Sequence, residues 1–188
     1  MEVLGIFTAF GLSASAGLNA YIPLLVVGVI AHYTDWIELS SPWDLLANPW
    51  ILILLGILLI IEMLADKVPA VNHINDIIQT VVRPAAGAIA FAASANVITN
   101  IHPVLALAIG LLVAGSVHTA KAAVVRPVVT ATTGGAGNVP VSIAEDVTST
   151  VVSFLSIVVP VLVAVVLCVL AAWLILRLWQ RANADRKI

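Results

Sequence analysis

Charge is scarce in this sequence: 10% of its 188 residues are Asp, Glu, Lys or Arg, while 62% are hydrophobic. Soluble domains carry about 25% charged and 45 to 50% apolar residues, so water is not the main solvent of this chain. Eight Lys and Arg stand against ten Asp and Glu, with no basic stripe and no acidic tail. That excludes a nucleic-acid partner. The single cysteine, Cys168, lies in an aliphatic run and reads as a small packed hydrophobe, silent about redox compartment. A positive start is also missing. Met1-Glu2 precedes the first apolar run, so Ser13-Ala14-Ser15-Ala16 is not read as a signal-peptide cleavage site and the segment is expected to be retained.

Chemical signatures are sparse as well. Glu62, Asp66, His73, Asp76 and His118 show neither His-x-x-x-His nor Glu-x-x-His spacing, and nearby cations oppose a divalent ion, so no metal is expected. No nucleophile is fixed beside a base, which argues against an enzyme, and no cofactor is implied. The loop Thr132-Thr133-Gly134-Gly135-Ala136-Gly137-Asn138 lacks the Gly-Lys-Ser/Thr of a P-loop. It suits either a flexible turn or a nest of N–H groups for an anion, with Gly134, Gly135, Gly137 and Asn138 as its candidates.

What the sequence has is apolar runs. About five of them reach the roughly 20 residues needed to cross the hydrocarbon of a bilayer. The expected fold is all-α, a polytopic transmembrane helical bundle forming a single domain over 1–188, with a polar C-terminal tail at 179–188. The segments are Val3–Ala31, Ile51–Ile61 continuing to Lys67, His73–Thr99, Val104–Val125 and Ser142–Leu178. Asn100-Ile101-His102-Pro103 makes a tight hairpin of the third and fourth. Segment one has two readings: one helix with a Gly/Ser face for close packing, or a helix broken between Asn19 and Pro23 beside a cavity. Ser142 and Glu145 have the spacing of a capping box after Pro140, and the long fifth segment must bend at Pro160 or leave the core. With five crossings, Trp36, Trp43, Trp50, Trp173 and Trp179 fall near one interface as an aromatic belt. Orientation stays open, because Arg177, Arg181, Arg186 and Lys187 on that face equal Lys67, Arg83, Lys121 and Arg126 on the other.

Polar residues gather in two connections. His73, Asp76, Thr80, Arg83 and Gly87 share one helical face, and His118 and Lys121 follow the apolar part of segment four. Ionisable groups at membrane depth cost roughly 2.5 to 3.5 kcal/mol each on insertion scales, so they face a bundle interior and pair. Glu62, Asp66, Asp76, Glu145 and Asp146 are available to Lys67, Arg83, Lys121 and Arg126. The expected pathway residues are Asp66, Lys67, Asp76, Arg83, His118, Lys121 and Asp146, serving a small anionic or zwitterionic solute or an ion. The competing reading is a salt-bridge cluster that fixes helix registry in a non-transporting module, either a phospholipid-headgroup binder or a structural subunit. Two weak echoes accompany the cluster: Asp76–Val82 against Asp146–Val152, and Val81-Val82-Arg83-Pro84 against Val124-Val125-Arg126-Pro127. They suggest an internal repeat of helical hairpins. So small a bundle is expected to associate as a homo-oligomer in the lipid bilayer of the cell membrane.

Gly11-Leu12-Ser13-Ala14-Ser15-Ala16-Gly17-Leu18-Asn19-Ala20-Tyr21, Ala65-Asp66-Lys67-Val68-Pro69-Ala70, Arg83-Pro84-Ala85-Ala86-Gly87 and Thr133-Gly134-Gly135-Ala136-Gly137-Asn138 together resemble the membrane family catalogued as domain of unknown function 4126. The resemblance spans nearly the whole chain. It implies the membrane class and no particular activity.

Overall fold

The computed structural model describes residues 2–67, 69–98, 101–159, 166 and 168–177, and these contain helices and no strand. The main helices are α1 (Glu2–Leu18), α2 (Tyr21–Tyr33), α3 (Pro49–Ala65), α4 (Pro69–Ile98), α5 (Pro103–Ala120), α6 (Arg126–Thr133) and α7 (Asn138–Val158). A 3-10 turn, Trp43–Ala47, precedes α3, and a wider π turn, Lys121–Val125, joins α5 to α6 without ending the rod. Three helical stretches are long and apolar enough to cross a membrane: Ile74–Ala95, Pro103–Thr133 and Asn138–Val158. Gly5–Leu18, Tyr21–Tyr33, Pro49–Ala65 and Cys168–Arg177 are shorter apolar helices.

Alanine and glycine set the spacing of the bundle. The second half of α4 buries Ala86, Ala88, Ala90, Ala92, Ala93 and Ala95. That small-residue face lets α1 and α5 approach closely, the packing mode that works where lipid removes the hydrophobic drive between helices. Gly87 and Gly110 carry the closest approach: a Cβ on Gly87 would collide with the Ala114 methyl, and one on Gly110 with the Gly87 carbonyl. Phe10 and Phe91 meet edge to face at 5.1 Å beside this contact. On α3 the pattern reverses, with Ile53, Leu54, Ile57, Ile60, Ile61 and Leu64 exposed while Glu62 is buried.

Segment one is two helices. The chain breaks after Leu18, and Asn19, fully buried, accepts from the N–H groups of Tyr21 and Ile22 at 3.1 and 3.2 Å. An amide side chain thus serves donors that a new helix start leaves open. Of the two sequence readings, the small-residue face and the break therefore coexist.

Pro84 lies inside α4, which continues through it to Ile98. One further expectation changes. Helix α7 starts at Asn138 rather than Ser142, so Ser142 is already inside the helix and its hydroxyl donates to Asp66 Oδ2 at 3.2 Å instead of capping. The capping box is therefore absent. Helix α7 ends at Val158; Pro160, Asn100, Trp179 and the polar tail lie outside the described residues.

Candidate functional site

The site is assembled from helix ends together with the interiors of α4 and α7. Glu62, Asp66 and Lys67 come from the end of α3, Arg83 from α4, Lys121 from the π turn, Arg126 from the first position of α6, and Glu145 and Asp146 from α7. They form a row of alternating charge: Glu62, Arg83, Asp66, Arg126, Glu145, Lys121. Successive N···O distances are 2.9, 3.7, 3.5, 3.3 and 2.7 Å. Lys67 and Asp146 make a looser pair at 3.9 Å beside it. Apart from Lys67, at 30%, these paired side chains are at most 10% exposed. Desolvated charges persist only when paired and hydrogen-bonded, and this row alternates sign so that each interior member lies between two opposites.

Neutral side chains complete the shell. Asn75 Nδ2 donates to Asp66 Oδ1 at 2.7 Å, and Asn19 Nδ2 donates to Asp146 Oδ1 at 2.9 Å. Asn19 therefore both starts α2 and holds an α7 carboxylate. Lys121 Nζ also donates to the Leu18 carbonyl at 3.4 Å, which the helix break leaves open. Arg83 Nη1 donates to His118 Nδ1 at 3.5 Å, and His118 Nε2 lies 3.3 Å from Thr80 Oγ1, which itself donates to the Asp76 carbonyl. With Nδ1 accepting and the hydroxyl proton already committed, the neutral Nε2–H tautomer fits this chain. Below the row, Ser15 Oγ lies 2.7 Å from Ser149 Oγ and 2.6 Å from Ser153 Oγ, so α1 and α7 meet along a hydroxyl seam.

A cavity of about 450 Å³ opens onto the row, lined by Asp66, Lys67, the loop 134–136, Asn138 and Val139. The Gly-rich loop and the charged cluster are thereby parts of one site. Gly134 and Gly135 take φ of 61° and 91°, the left-handed region that glycine enters without strain. Gly137 N–H donates to Thr133 Oγ1 at 2.9 Å and Asn138 Nδ2 to Thr130 Oγ1 at 3.1 Å, so the loop is tied to the end of α6. Two further clefts flank α7 from the sides. One, about 390 Å³, is walled by Leu18, Val117, Val125 and Val141 over Lys121 and Glu145. The other, about 400 Å³, places Asp146 and Thr150 among Ile22, Leu59 and Met63.

Of the expected pathway residues, Asp66, Lys67, Arg83, His118, Lys121 and Asp146 come together. Asp76 does not: it is half-buried and makes no ion pair among the described residues. The expected polar stripe on α4 is displaced. Its buried polar positions are Asn75, Gln79 and Arg83, spaced by four, while Thr80 is exposed and the His73 side chain lies outside the described residues. Glu62, Glu145 and Arg126 belong to the site as much as the expected residues do. Their signal was the cost of unpaired charge, which had already placed Glu62, Glu145 and Arg126 among the groups available for pairing.

The two arginine-proline echoes converge in space. Arg83 and Arg126, each preceded by Val-Val, both direct Nη2 to Asp66 Oδ2. No match was found among curated proteins or among solved structures. One recognised family matches residues 6–181, nearly the whole chain: the protein is a member of DUF4126, a domain of unknown function.

Proposed function

We propose that this protein is a small multi-pass transporter or channel of the cell membrane for a small solute or ion, with its site at the charged row. The observation that supports this is the cavity joining Asp66 and Lys67 to the Gly134–Val139 loop. Asn19, where segment one breaks, is linked to the wall of that cavity through Asp146, which pairs with Lys67. Broken helices are tolerated at membrane depth where their freed backbone groups line a cavity or meet protein partners, and transporters place them at their sites. In this reading Lys67, with Arg83, Lys121 and Arg126 behind it, attracts an anionic or zwitterionic group. Asp66, Glu145 and Asp146 balance that charge. Two or more copies assemble around the site. The exposed groove of about 560 Å³ containing Pro84, Leu112, Gly115, Ser116 and Thr119 offers the small residues that a second helix needs.

The test is flux in proteoliposomes. Liposome swelling in sodium phosphate and in glycine should be faster with the protein than without it, and Lys67→Ala should remove most of the gain. Wild-type vesicles that match empty ones in both solutes, or Lys67→Ala vesicles that match wild type, sink the proposal.

A second reading draws on the closure of the row. Every cation in it faces a carboxylate within 4 Å, the arrangement expected of a device that fixes helix registry. In that case the protein is a non-transporting module, a headgroup binder or a structural subunit. A stoichiometric phospholipid or a fixed protein partner after purification would favour it.

A further inference from the structure

Arg126 differs from the other cations of the row. It is nearly fully buried, yet only Nη2 is engaged, 3.5 Å from Asp66 Oδ2 and 3.3 Å from Glu145 Oε2. Its Nε and Nη1 are buried and meet no acceptor among the described residues. Nε shares one edge of the planar guanidinium with Nη2, and Nη1 shares another with Nη2, so each of the two forks that can take two oxygens of one carboxylate or phosphate is only half used. A guanidinium committed to structure alone would complete one of them.

Arg126 is also the cation that the row can release. Asp66 keeps Arg83 at 3.7 Å, Asn75 at 2.7 Å and Ser142 at 3.2 Å, and Glu145 keeps Lys121 at 2.7 Å. Neither carboxylate is orphaned when Arg126 turns to another partner. Removing Arg83 from Glu62 has no such cover, because Glu62 has no other cation within ion-pair distance among the described residues. The position fits the chemistry. Asp66 lines the cavity at the Gly-rich loop and Glu145 lines the apolar lateral cleft, so Arg126 sits behind the two and is paired with one wall residue of each.

We infer that Arg126 is the ligand-binding residue of this site and that its ligand is a phosphate-type oxyanion, exchanged against Asp66 and Glu145 at the guanidinium. This deepens the proposed function and rests on its reading of the cavity as an entrance. Lys67, on the cavity wall and partly exposed, supplies the first attraction for an anion arriving from solution. The lateral cleft, whose apolar wall suits lipid chains, leads to the same guanidinium past Glu145, the partner that a lipid phosphate would displace. The oxyanion chemistry is shared, and the two cavities distinguish its source.

The experiment uses the full chain in neutral detergent and reads thermal unfolding. One arm titrates inorganic phosphate against sodium chloride at equal ionic strength, and the other titrates phosphatidic acid against diacylglycerol with the same chains. Saturable stabilisation in the first arm assigns a soluble oxyanion and in the second a lipid headgroup. Arg126→Lys, which keeps the charge and loses the fork, is expected to weaken that binding at least tenfold. Independently of whether this variant folds, phenylglyoxal labelling of the wild type read by peptide mass spectrometry should modify Arg126 several-fold more slowly when the effective phosphate ligand is present. A wild type that neither arm stabilises, an Arg126→Lys variant that binds as wild type, or labelling of Arg126 that is absent or indifferent to the ligand overturns the inference. Binding is read apart from flux. Solute flux with no response in either arm overturns this inference alone, and binding without flux overturns transport alone.

Discussion

Arg83 and Arg126 point their Nη2 atoms at the same oxygen, Asp66 Oδ2, from 3.7 and 3.5 Å. Two guanidinium groups of like charge are held together by one carboxylate between them. Asp66 is therefore the centre of the row.

Asp66→Asn removes the charge and keeps the volume, leaving the three cations of the row with two carboxylates and so one buried positive charge uncompensated. Breaking a buried pair from one side costs about 3 to 5 kcal/mol, and that loss should appear in chemical unfolding in detergent. Asp76→Asn, off the row, is expected to cost less than about 0.5 kcal/mol in the same assay, as changes outside the named networks do. Equal effects of the two substitutions would contradict the row.

Asn19→Ala removes the cap of α2 and the amide on Asp146 together. The cap alone accounts for about 1 to 2 kcal/mol. A double-mutant cycle with Asp146→Ala should give a coupling of about 0.5 kcal/mol or more. Strict additivity would mean that the 2.9 Å hydrogen bond carries no stability.

Glycine positions separate packing from propensity. Gly87→Val pushes a branched side chain into Ala114 and should abolish the folded bundle on gel filtration in detergent. Gly56→Ala meets nothing within 4 Å, so the alanine should raise stability by roughly 0.5 to 1 kcal/mol through helix propensity. A destabilised Gly56→Ala would show that α3 packs against something on that face.

Lys67→Ala should spare the fold while reducing flux. Its ion pair is 3.9 Å long and its side chain is 30% exposed, so the stability change is expected to stay within about 1 kcal/mol. Swelling rates in proteoliposomes should fall at least tenfold. A variant that unfolds would move Lys67 from the entrance to the framework.

Much of the cluster was legible because charge at membrane depth is costly enough to demand a partner. That argument brought Lys67, Arg83, Lys121 and Arg126 to the same end as Glu62, Asp66, Glu145 and Asp146. It gave no facing angles. The α4 stripe was read from His73, Asp76, Thr80 and Arg83, whereas the helix buries Asn75, Gln79 and Arg83. Asn and Gln are modestly polar and stood out less than the charged residues beside them.

The Ser142–Glu145 spacing misled for a related reason. A capping box is a local pattern, and Ser142 and Glu145 were better employed at long range, on Asp66 and on Lys121 and Arg126. Local hydrogen-bonding preference is a weak prior when buried charges compete for the same side chains.

Composition and apolar periodicity alone determined that this chain is a helical bundle suited to a bilayer, since backbone groups in hydrocarbon must bond within the helix and side chains there must be apolar. The small residues of α1 announced close packing for the same reason. Which charge meets which, where segment one breaks, and that the Gly-rich loop shares a cavity with Asp66 and Lys67 were decided only by tertiary structure. Those contacts join residues distant in the chain, and their energies depend on distance and burial, which a residue's place in the sequence does not carry.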